Sequence, residues 1–189
     1  QKRKKVCVVV GTRPEAIKMA PVALRVARSE KLECFLLATG QHTLMLHQAL
    51  RHFNLEADVD LNVMKERQTL DYLTASVIGG VGQALDQARP DIVLVHGDTT
   101  TTFAASLAAF YRKIPVGHVE AGLRSRNVYL PFPEEMNRLL TDRIATLWFA
   151  PTEGAKRNLE SEGVPGNEVL VTGNTVVDAL FWTRDNRTQ

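Results

Sequence analysis

Two acidic residues each come directly after a short apolar segment. Asp98 ends the sequence Asp-Ile-Val-Leu-Val-His-Gly-Asp, and Glu120 ends Pro-Val-Gly-His-Val-Glu. Such segments predict buried strands of a parallel sheet, and open α/β sheets bind and transform ligands at the carboxyl ends of their strands. Neighbouring strands lie about 4.8 Å apart, so if these two strands pair, we expect the two acids to share one crevice and to alter each other's pKa. Paired carboxylates in a cleft indicate proton-transfer chemistry.

A third candidate acid lies in the segment Leu-Pro-Phe-Pro-Glu-Glu, residues 130–135. Pro133 predicts the start of a helix with Glu134 and Glu135 in its first turn, where carboxylates interact favourably with the helix dipole. That role is sufficient for Glu135. For Glu134 two roles stay open: helix initiation, or an acid that a stiff proline-containing loop carries into the cleft.

Two cations, Arg13 and Lys18, flank the N-terminus of the first predicted helix. Thr12 and Glu15 have the spacing of a capping box, and Pro14 suits a first helical turn, so local structure accounts for those three residues. The cations oppose the helix dipole, and their placement indicates a bound anion such as a diphosphate. The loop lacks the spacing of both the Gly-x-Gly-x-x-Gly and P-loop motifs, so neither dinucleotide binding nor P-loop binding is predicted.

Histidines accompany both strand-end acids. Strand alternation places His96 on the side of Asp98 and His118 on the side of Glu120, which predicts one polar cluster. For each histidine a structural and a catalytic role stay open. Asp98 could equally be the N-cap of the helix that follows it, because four threonines come next.

The segment 121–127, Ala-Gly-Leu-Arg-Ser-Arg-Asn, predicts a mobile lid whose Arg124 and Arg126 are available to phosphate. No metal site is predicted, because His42, His47 and His52 are scattered around a helix and no zinc-type spacing occurs. No Gly-x-Ser-x-Gly turn follows a strand, so a serine-hydrolase triad is not indicated.

Short β-branched runs alternate with longer amphipathic stretches, which predicts an α/β fold with a Rossmann-like parallel sheet and helices on both faces. Right-handed crossovers then bring every strand's carboxyl end to one edge. The predicted strands are 6–10, 33–38, 92–96, 116–119, 147–150 and 169–172, with a short edge strand at 59–61, and the predicted helices are 15–28, 44–53, 70–88, 100–111, 134–145 and 153–162.

The chain of 189 residues is 44% hydrophobic and 23% charged, as expected for one globular domain. Its 23 basic and 21 acidic residues give a net charge of +2, which argues against nucleic-acid binding and against an electrostatic membrane anchor. The apolar run at 6–10 is too short for a signal peptide or a membrane span, so we expect a cytoplasmic protein. Cys7 and Cys34 fall in predicted strands and are expected to be free buried thiols.

Six motifs in order resemble those of the non-hydrolysing UDP-N-acetylglucosamine 2-epimerases. The resemblance spans the whole chain but only the first of that family's two domains, which implies one half of a GT-B architecture and a homodimeric full-length enzyme. The motifs are Gly-Thr-Arg-Pro-Glu-Ala-Ile-Lys-Met-Ala-Pro at 11–21, Gln-His at 41–42, Val-His-Gly-Asp-Thr-Thr-Thr-Thr at 95–102, Gly-His-Val-Glu-Ala-Gly-Leu-Arg at 117–124, Pro-Glu-Glu-Met-Asn-Arg at 133–138 and Thr-Gly-Asn-Thr at 172–175.

The resemblance implies interconversion of UDP-N-acetylglucosamine and UDP-N-acetylmannosamine through UDP elimination, a 2-acetamidoglucal intermediate and UDP re-addition. It places Asp98, Glu120 and Glu134 at the family's catalytic carboxylates, and Arg13 and Lys18 at positions that face the diphosphate and the sugar. It implies no cofactor and no metal. Which acid serves which face of carbon 2 stays open.

Many bacterial members of that family are activated by UDP-N-acetylglucosamine at a second site. Gln41, Arg67 and Glu134 match positions linked to this allosteric site, and Leu44 stands where a polar residue is often found.

The implied organisation is an N-terminal Rossmann-like domain at 1–175 and the start of an interdomain connection at 176–189, with the C-terminal UDP-binding domain absent. The isolated chain is therefore expected to be inactive or nearly so. The alternatives are a GT-B glycosyltransferase, a hydrolysing epimerase and a nucleotide-sugar-binding module without turnover.

Overall fold

Seven parallel strands form a single sheet in the computed structural model, which describes residues 2–40, 43–63 and 68–186. In chain order they are β1 (Lys4–Val10), β2 (Leu32–Ala38), β3 (Val59–Asp60), β4 (Ile92–His96), β5 (Val116–Val119), β6 (Leu147–Ala150) and β7 (Val169–Val171). Their order across the sheet is β3-β2-β1-β4-β5-β6-β7. The winding direction therefore reverses between β1 and β4, and such a switch point is where open α/β sheets bind ligands.

Helices cover both faces of the sheet, as the Rossmann-like prediction requires. They are α1 (Arg13–Ala27), α2 (Thr43–His52), α3 (Leu70–Ala88), α4 (Thr100–Tyr111), α5 (Glu134–Ile144), α6 (Glu153–Ser161) and α7 (Thr175–Asp185). Met19 of α1 and Leu50 of α2 pack with Val8 on one face. Val77 of α3 and Ala105 of α4 pack on the other. Within the described ranges, none of these helices combines the length and the apolar character that crossing a membrane requires.

Local sequence signals place most element boundaries. Helix α1 begins at Arg13, two residues before the predicted start, because Thr12 is its N-cap and accepts a hydrogen bond from the Glu15 backbone. The Glu15 side chain in turn accepts a hydrogen bond from the Thr12 backbone, which confirms the predicted capping box.

Helix α7 packs against the first helix rather than extending away from the domain. Ala179 and Trp182 lie in one apolar cluster with Ala20 of α1 and Phe53. The role of residues 176–189 as an interdomain connection stays a prediction.

Both cysteines are free thiols, as predicted. Cys7 is fully buried in β1 and Cys34 is half-buried in β2. Burial raises the pKa of the Cys7 thiol far above its ordinary value and raises the pKa of Cys34 to about 11, with a further contribution from Asp58. Both thiols therefore stay protonated at neutral pH.

Candidate active site

The two strand-end acids share one cavity, as the sequence predicts. Strands β4 and β5 pair in parallel, with His96 opposite Val119. The cavity has a volume of about 390 Å³. It opens at the switch point, between the loop after β1 and the loops after β4 and β5. Its walls include Thr12, Pro14, Lys18, His96, Asp98 and Glu120.

Glu120 is the most strongly perturbed acid in this cavity. Its Oε2 accepts hydrogen bonds from Lys18 Nζ at 2.7 Å and from Asn174 Nδ2 at 2.8 Å. His96 Nε2 lies 3.6 Å away, beyond an ordinary hydrogen bond, so this contact is electrostatic. Burial raises the pKa of Glu120, but His96 and Lys18 outweigh it and lower the pKa to about 2. The expectation that Asp98 alters the pKa of Glu120 is wrong, because the two basic residues, and not Asp98, cause the shift.

The predicted cluster of both histidines with both acids is wrong. His118 pairs with Val95, one position before His96, so the two histidines point to opposite faces of the sheet. Glu120 has a left-handed backbone with φ of 66°. This turn interrupts the strand alternation and brings the carboxylate to His96 rather than to His118.

The surroundings of His118 fit a structural role, which is one of the two roles that the sequence left open. Its side chain is fully buried, with Nδ1 2.5 Å from Asp142 Oδ1 and Nε2 2.7 Å from the Gly97 carbonyl oxygen. It does not line the cavity.

Asp98 is held by α5 and is not a helix cap. Thr99, one residue later, is the N-cap of α4 and accepts a hydrogen bond from the Thr102 backbone. The Asp98 carboxylate instead accepts a 2.6 Å hydrogen bond from Arg138 Nη2, and the Asp98 carbonyl accepts one from Asn137 Nδ2 at 3.0 Å. The Asp98 side chain therefore does not cap the helix, and the bond from Arg138 holds it at the cavity wall.

Glu15 joins the loops after β1 and β4. Beyond the capping box, its carboxylate accepts hydrogen bonds from the Gly11 backbone at 3.0 Å, from Thr99 Oγ1 at 2.8 Å and from Thr102 Oγ1 at 3.0 Å. Because Glu15 is buried, these bonds fix the floor of the cavity.

The two predicted diphosphate-binding cations lie apart. Lys18 is half-buried in the cavity and paired with Glu120. Arg13 is exposed and lines a neighbouring cavity of about 370 Å³ together with Ile17, His52 and Thr183. Diphosphate binding by either residue stays a prediction.

Glu134 and Glu135 do not line the cavity. Glu134 is half-buried at the start of α5, and within the described chain its carboxylate forms no hydrogen bond or ion pair. Glu135 is buried and accepts hydrogen bonds from the backbones of Ser125 and Arg126, each at 3.0 Å. Gln41 and Arg67 lie outside the residues that the structure describes. The catalytic role of Glu134 and the allosteric roles of these residues stay predictions.

The expectation that Arg124 is available to phosphate is wrong. Its side chain is buried between Asp142 and Glu162, at 2.8 Å and 2.7 Å. Arg126 is exposed and donates to Asn158 at 3.3 Å. Together with the hydrogen bonds that Glu135 accepts from this segment, these contacts tie residues 121–127 to α5 and α6.

Sequence reasoning missed Asn174 and Arg138 as site residues. Asn174 is the N-cap of α7 and also donates to Glu120, while Arg138 holds Asp98. Asn174 follows a strand in the same way as the predicted site loops, and this position was the available signal. Arg138 lies in the motif at 133–138, but no local pattern indicated its contact with Asp98, which is 40 residues away. Among the described residues, no cluster of three His, Cys, Asp or Glu side chains could hold a metal ion.

Comparison with known proteins gives consistent similarities. A family profile described as UDP-N-acetylglucosamine 2-epimerase matches residues 24–189. A UDP-N-acetylglucosamine 2-epimerase of Neisseria meningitidis is 56% identical over 177 residues, covering 94% of this chain and 48% of that protein. One of Bacillus subtilis is 54% identical over 182 residues, covering 96% and 48%. The chain thus spans about half the length of these curated relatives.

Solved structures show the same similarity. The Neisseria meningitidis UDP-GlcNAc 2-epimerase bound to UDP-GlcNAc superposes with a TM-score of 0.93 at 55% identity, covering 96% of this chain and 49% of that one. The Methanocaldococcus jannaschii enzyme in complex with UDP-GlcNAc and UDP gives 0.87 at 38%, covering 94% and 48%. Acinetobacter baumannii MurG gives 0.64 at 17% identity over 90% of this chain and 46% of that one, a likeness of fold alone. The fold fits one half of a GT-B architecture.

Proposed function

Because the chain belongs to the UDP-N-acetylglucosamine 2-epimerase family, we propose that its full-length protein interconverts UDP-N-acetylglucosamine and UDP-N-acetylmannosamine without hydrolysis. The observation that carries this proposal is the cavity in which Glu120, paired with Lys18 and His96, faces the same space as Asp98. His96 Nε2 is buried there without a hydrogen-bond partner in the described chain, as expected for a site that receives a polar ligand.

The proposed reaction removes the proton from carbon 2 and breaks the bond between carbon 1 and the diphosphate oxygen. UDP leaves with the bonding electrons, and 2-acetamidoglucal remains. A proton then adds to the opposite face of carbon 2, and UDP attacks carbon 1 again. The reaction is redox-neutral, and its net change is inversion at one carbon.

Glu120 and Asp98 are the proposed acid and base groups, with Glu134 as a third catalytic carboxylate. With a pKa of about 2, Glu120 is ionised at neutral pH. It can accept a proton, and it can stabilise positive charge that develops in the sugar ring as the diphosphate leaves. Asp98 follows the other strand and is held in place by Arg138. It can therefore act on the same carbon from a second direction.

Lys18 connects this chemistry to substrate binding. Its ammonium group lies in the cavity beside the N-terminal turn of α1, where an anion is favoured. A diphosphate bound there competes with Glu120 for the ammonium group, so substrate binding would weaken the ion pair between Lys18 and Glu120. Arg13, in the neighbouring cavity, is the proposed second contact to the diphosphate.

The half of the relatives that this chain does not span is proposed to supply the uridine side of the cleft. Under this proposal residues 1–175 form the first domain and 176–189 begin the connection. The isolated chain then turns over little or no substrate. The proposal includes a cytoplasmic homodimer and an allosteric substrate site involving Gln41, Arg67 and Glu134.

The test is to incubate the full-length protein with UDP-N-acetylglucosamine and to follow the products by NMR. We expect UDP-N-acetylmannosamine to accumulate to equilibrium without free sugar. Release of free N-acetylmannosamine and UDP would assign a hydrolysing epimerase. Binding without any conversion would identify a nucleotide-sugar-binding module, and conversion only after addition of an acceptor would identify a glycosyltransferase.

A further inference from the structure

Helix α5 carries a buried carboxylate, Asp142, behind the candidate active site. Its side chain is 2% exposed and meets three donors. Asp142 Oδ1 lies 2.5 Å from His118 Nδ1, and Oδ2 lies 2.8 Å from Arg124 Nη2 and accepts a bond from the Gly122 backbone at 3.2 Å. Asp142 does not line the cavity, so the proposed reaction gives it no direct role.

His118 links Asp142 to Gly97, which follows the neighbouring strand β4. Its Nε2 lies 2.7 Å from the Gly97 carbonyl oxygen, which can only accept a hydrogen bond. The Asp142 carboxylate is also an acceptor, so the His118 ring lies between two acceptors and links them. Arg124 and Glu162 complete the cluster, because the Arg124 guanidinium pairs with both Asp142 and Glu162.

Both ends of this network lie next to a strand-end acid. Gly97 comes directly before Asp98, and Gly122 comes two residues after Glu120. Both glycines have left-handed backbones, with φ of 72° and 84°. A side chain at Gly122 would also come within 2.3 Å of the Ala155 carbonyl oxygen, so this turn packs tightly on α6. One buried carboxylate therefore contacts one loop through an imidazole and the other through a backbone N–H.

We propose that Asp142 is a positioning residue that sets the separation of Asp98 and Glu120 across the cavity, acting through His118 and the Gly122 backbone. The inference rests on the proposed epimerase function. It assigns Asp142 no contact with substrate. Without it, the two acids can be present yet misplaced around carbon 2, and a displacement of about 1 Å can cost roughly 100-fold in rate.

Two substitutions of Asp142 separate positioning from charge. Asparagine keeps an oxygen for Gly122 and Arg124, and its amide can donate to a neutral His118 that still donates to Gly97. Alanine removes all of these bonds. We expect Asp142→Asn to keep kcat within about 10-fold of the wild type, and Asp142→Ala to lose about 100-fold in kcat with KM changed less than about 3-fold.

The experiment measures kcat, KM, UDP affinity and melting temperature of the full-length protein and its variants. Asp91→Ala is the matched control, because Asp91 precedes β4 at the opposite end of the sheet, where it pairs with Lys4 at 2.7 Å. It should keep the wild-type kcat. If Asp142→Ala does not fold, His118→Gln replaces it. One amide group cannot bond to both Asp142 and the Gly97 carbonyl oxygen as the two ring nitrogens do, so this variant breaks the bridge and leaves the bonds of Asp142 to Gly122 and Arg124 intact. It should also lower kcat selectively.

The outcomes distinguish this inference from the proposed function. A wild-type protein that does not epimerise would refute the function itself. An active wild type whose folded Asp142→Ala or His118→Gln variant matches the Asp91→Ala control in kcat would overturn the positioning role. Equal losses in the asparagine and alanine variants, in proportion to melting temperature, would also overturn it, because purely structural damage has that signature.

Discussion

Replacing Lys18 with methionine should raise the pKa of Glu120 by at least about one pH unit. Methionine keeps a long apolar side chain but removes the ammonium group that lies 2.7 Å from Glu120 Oε2. Burial raises the pKa of Glu120, and the opposing effects of His96 and Lys18 bring it to about 2. Without Lys18, burial is opposed mainly by His96, so the pKa moves back towards its ordinary value of 4.5.

The contribution of Glu120 ionisation to the free energy of unfolding follows from this difference in pKa. From 4.5 to about 2, at about 1.4 kcal/mol per pH unit, the ionised form gains about 3 kcal/mol. Water at the open side of the cavity reduces this to about 2 kcal/mol. Because the folded pKa lies below the unfolded one, Glu120 stabilises the fold above pH 4.5, and this stabilisation is lost as the pH falls from about 4.5 to about 2. We expect Lys18→Met to remove about 1 kcal/mol at pH 7 and progressively less towards pH 2.

The assay is carboxyl ¹³C NMR of glutamate-labelled protein, titrated from pH 7 to pH 2, with urea unfolding at selected pH values. Glu120→Gln identifies the Glu120 resonance by its disappearance. Lys5→Met is the control, because Lys5 pairs with Glu33 at 3.1 Å near the opposite end of the sheet. A Glu120 titration that is the same in the wild type and in Lys18→Met would refute this account of the cavity's electrostatics.

Three further outcomes are expected. Asp98→Asn and Glu120→Gln should each lower turnover of the full-length protein by at least about 100-fold with little change in substrate affinity, while Asp91→Asn should have the wild-type rate; near-normal turnover in both acid variants would remove them from the mechanism. Arg13→Ala should weaken UDP binding by about 10-fold in calorimetry, and unchanged affinity would exclude it from the diphosphate site. Cys7 should resist iodoacetamide at pH 8 until the chain is unfolded, whereas rapid labelling of Cys7 in the folded chain would contradict its burial and raised pKa.

Local sequence patterns were sufficient for the strands of the sheet and for the position of the site. Strands β4, β5 and β6 have their predicted bounds because each is a short apolar run that ends at a glycine, proline or polar residue. Asp98 and Glu120 then share a cavity because parallel strands end at one edge. Periodicity and capping residues act over a few positions, and a sequence displays them directly.

Backbone turns and distant ion pairs were not predictable in this way. The left-handed conformation of Glu120 reverses the direction of its side chain, and an ordinary residue at positive φ has no sequence signature. Arg138 reaches Asp98 over 40 residues, and Arg124 is neutralised by Asp142 and by a glutamate 38 residues away. Such contacts depend on how α5 and α6 pack on the sheet, which local patterns do not determine.

The most direct test of proton chemistry at carbon 2 is epimerisation in deuterated water. The full-length protein is incubated with UDP-N-acetylglucosamine, and the products are separated and analysed by ¹H NMR and mass spectrometry. We expect one deuterium at carbon 2 of UDP-N-acetylmannosamine, with incorporation abolished or strongly slowed in Glu120→Gln and Asp98→Asn. Formation of UDP-N-acetylmannosamine that retains the original hydrogen at carbon 2 would contradict the role assigned to the two strand-end acids.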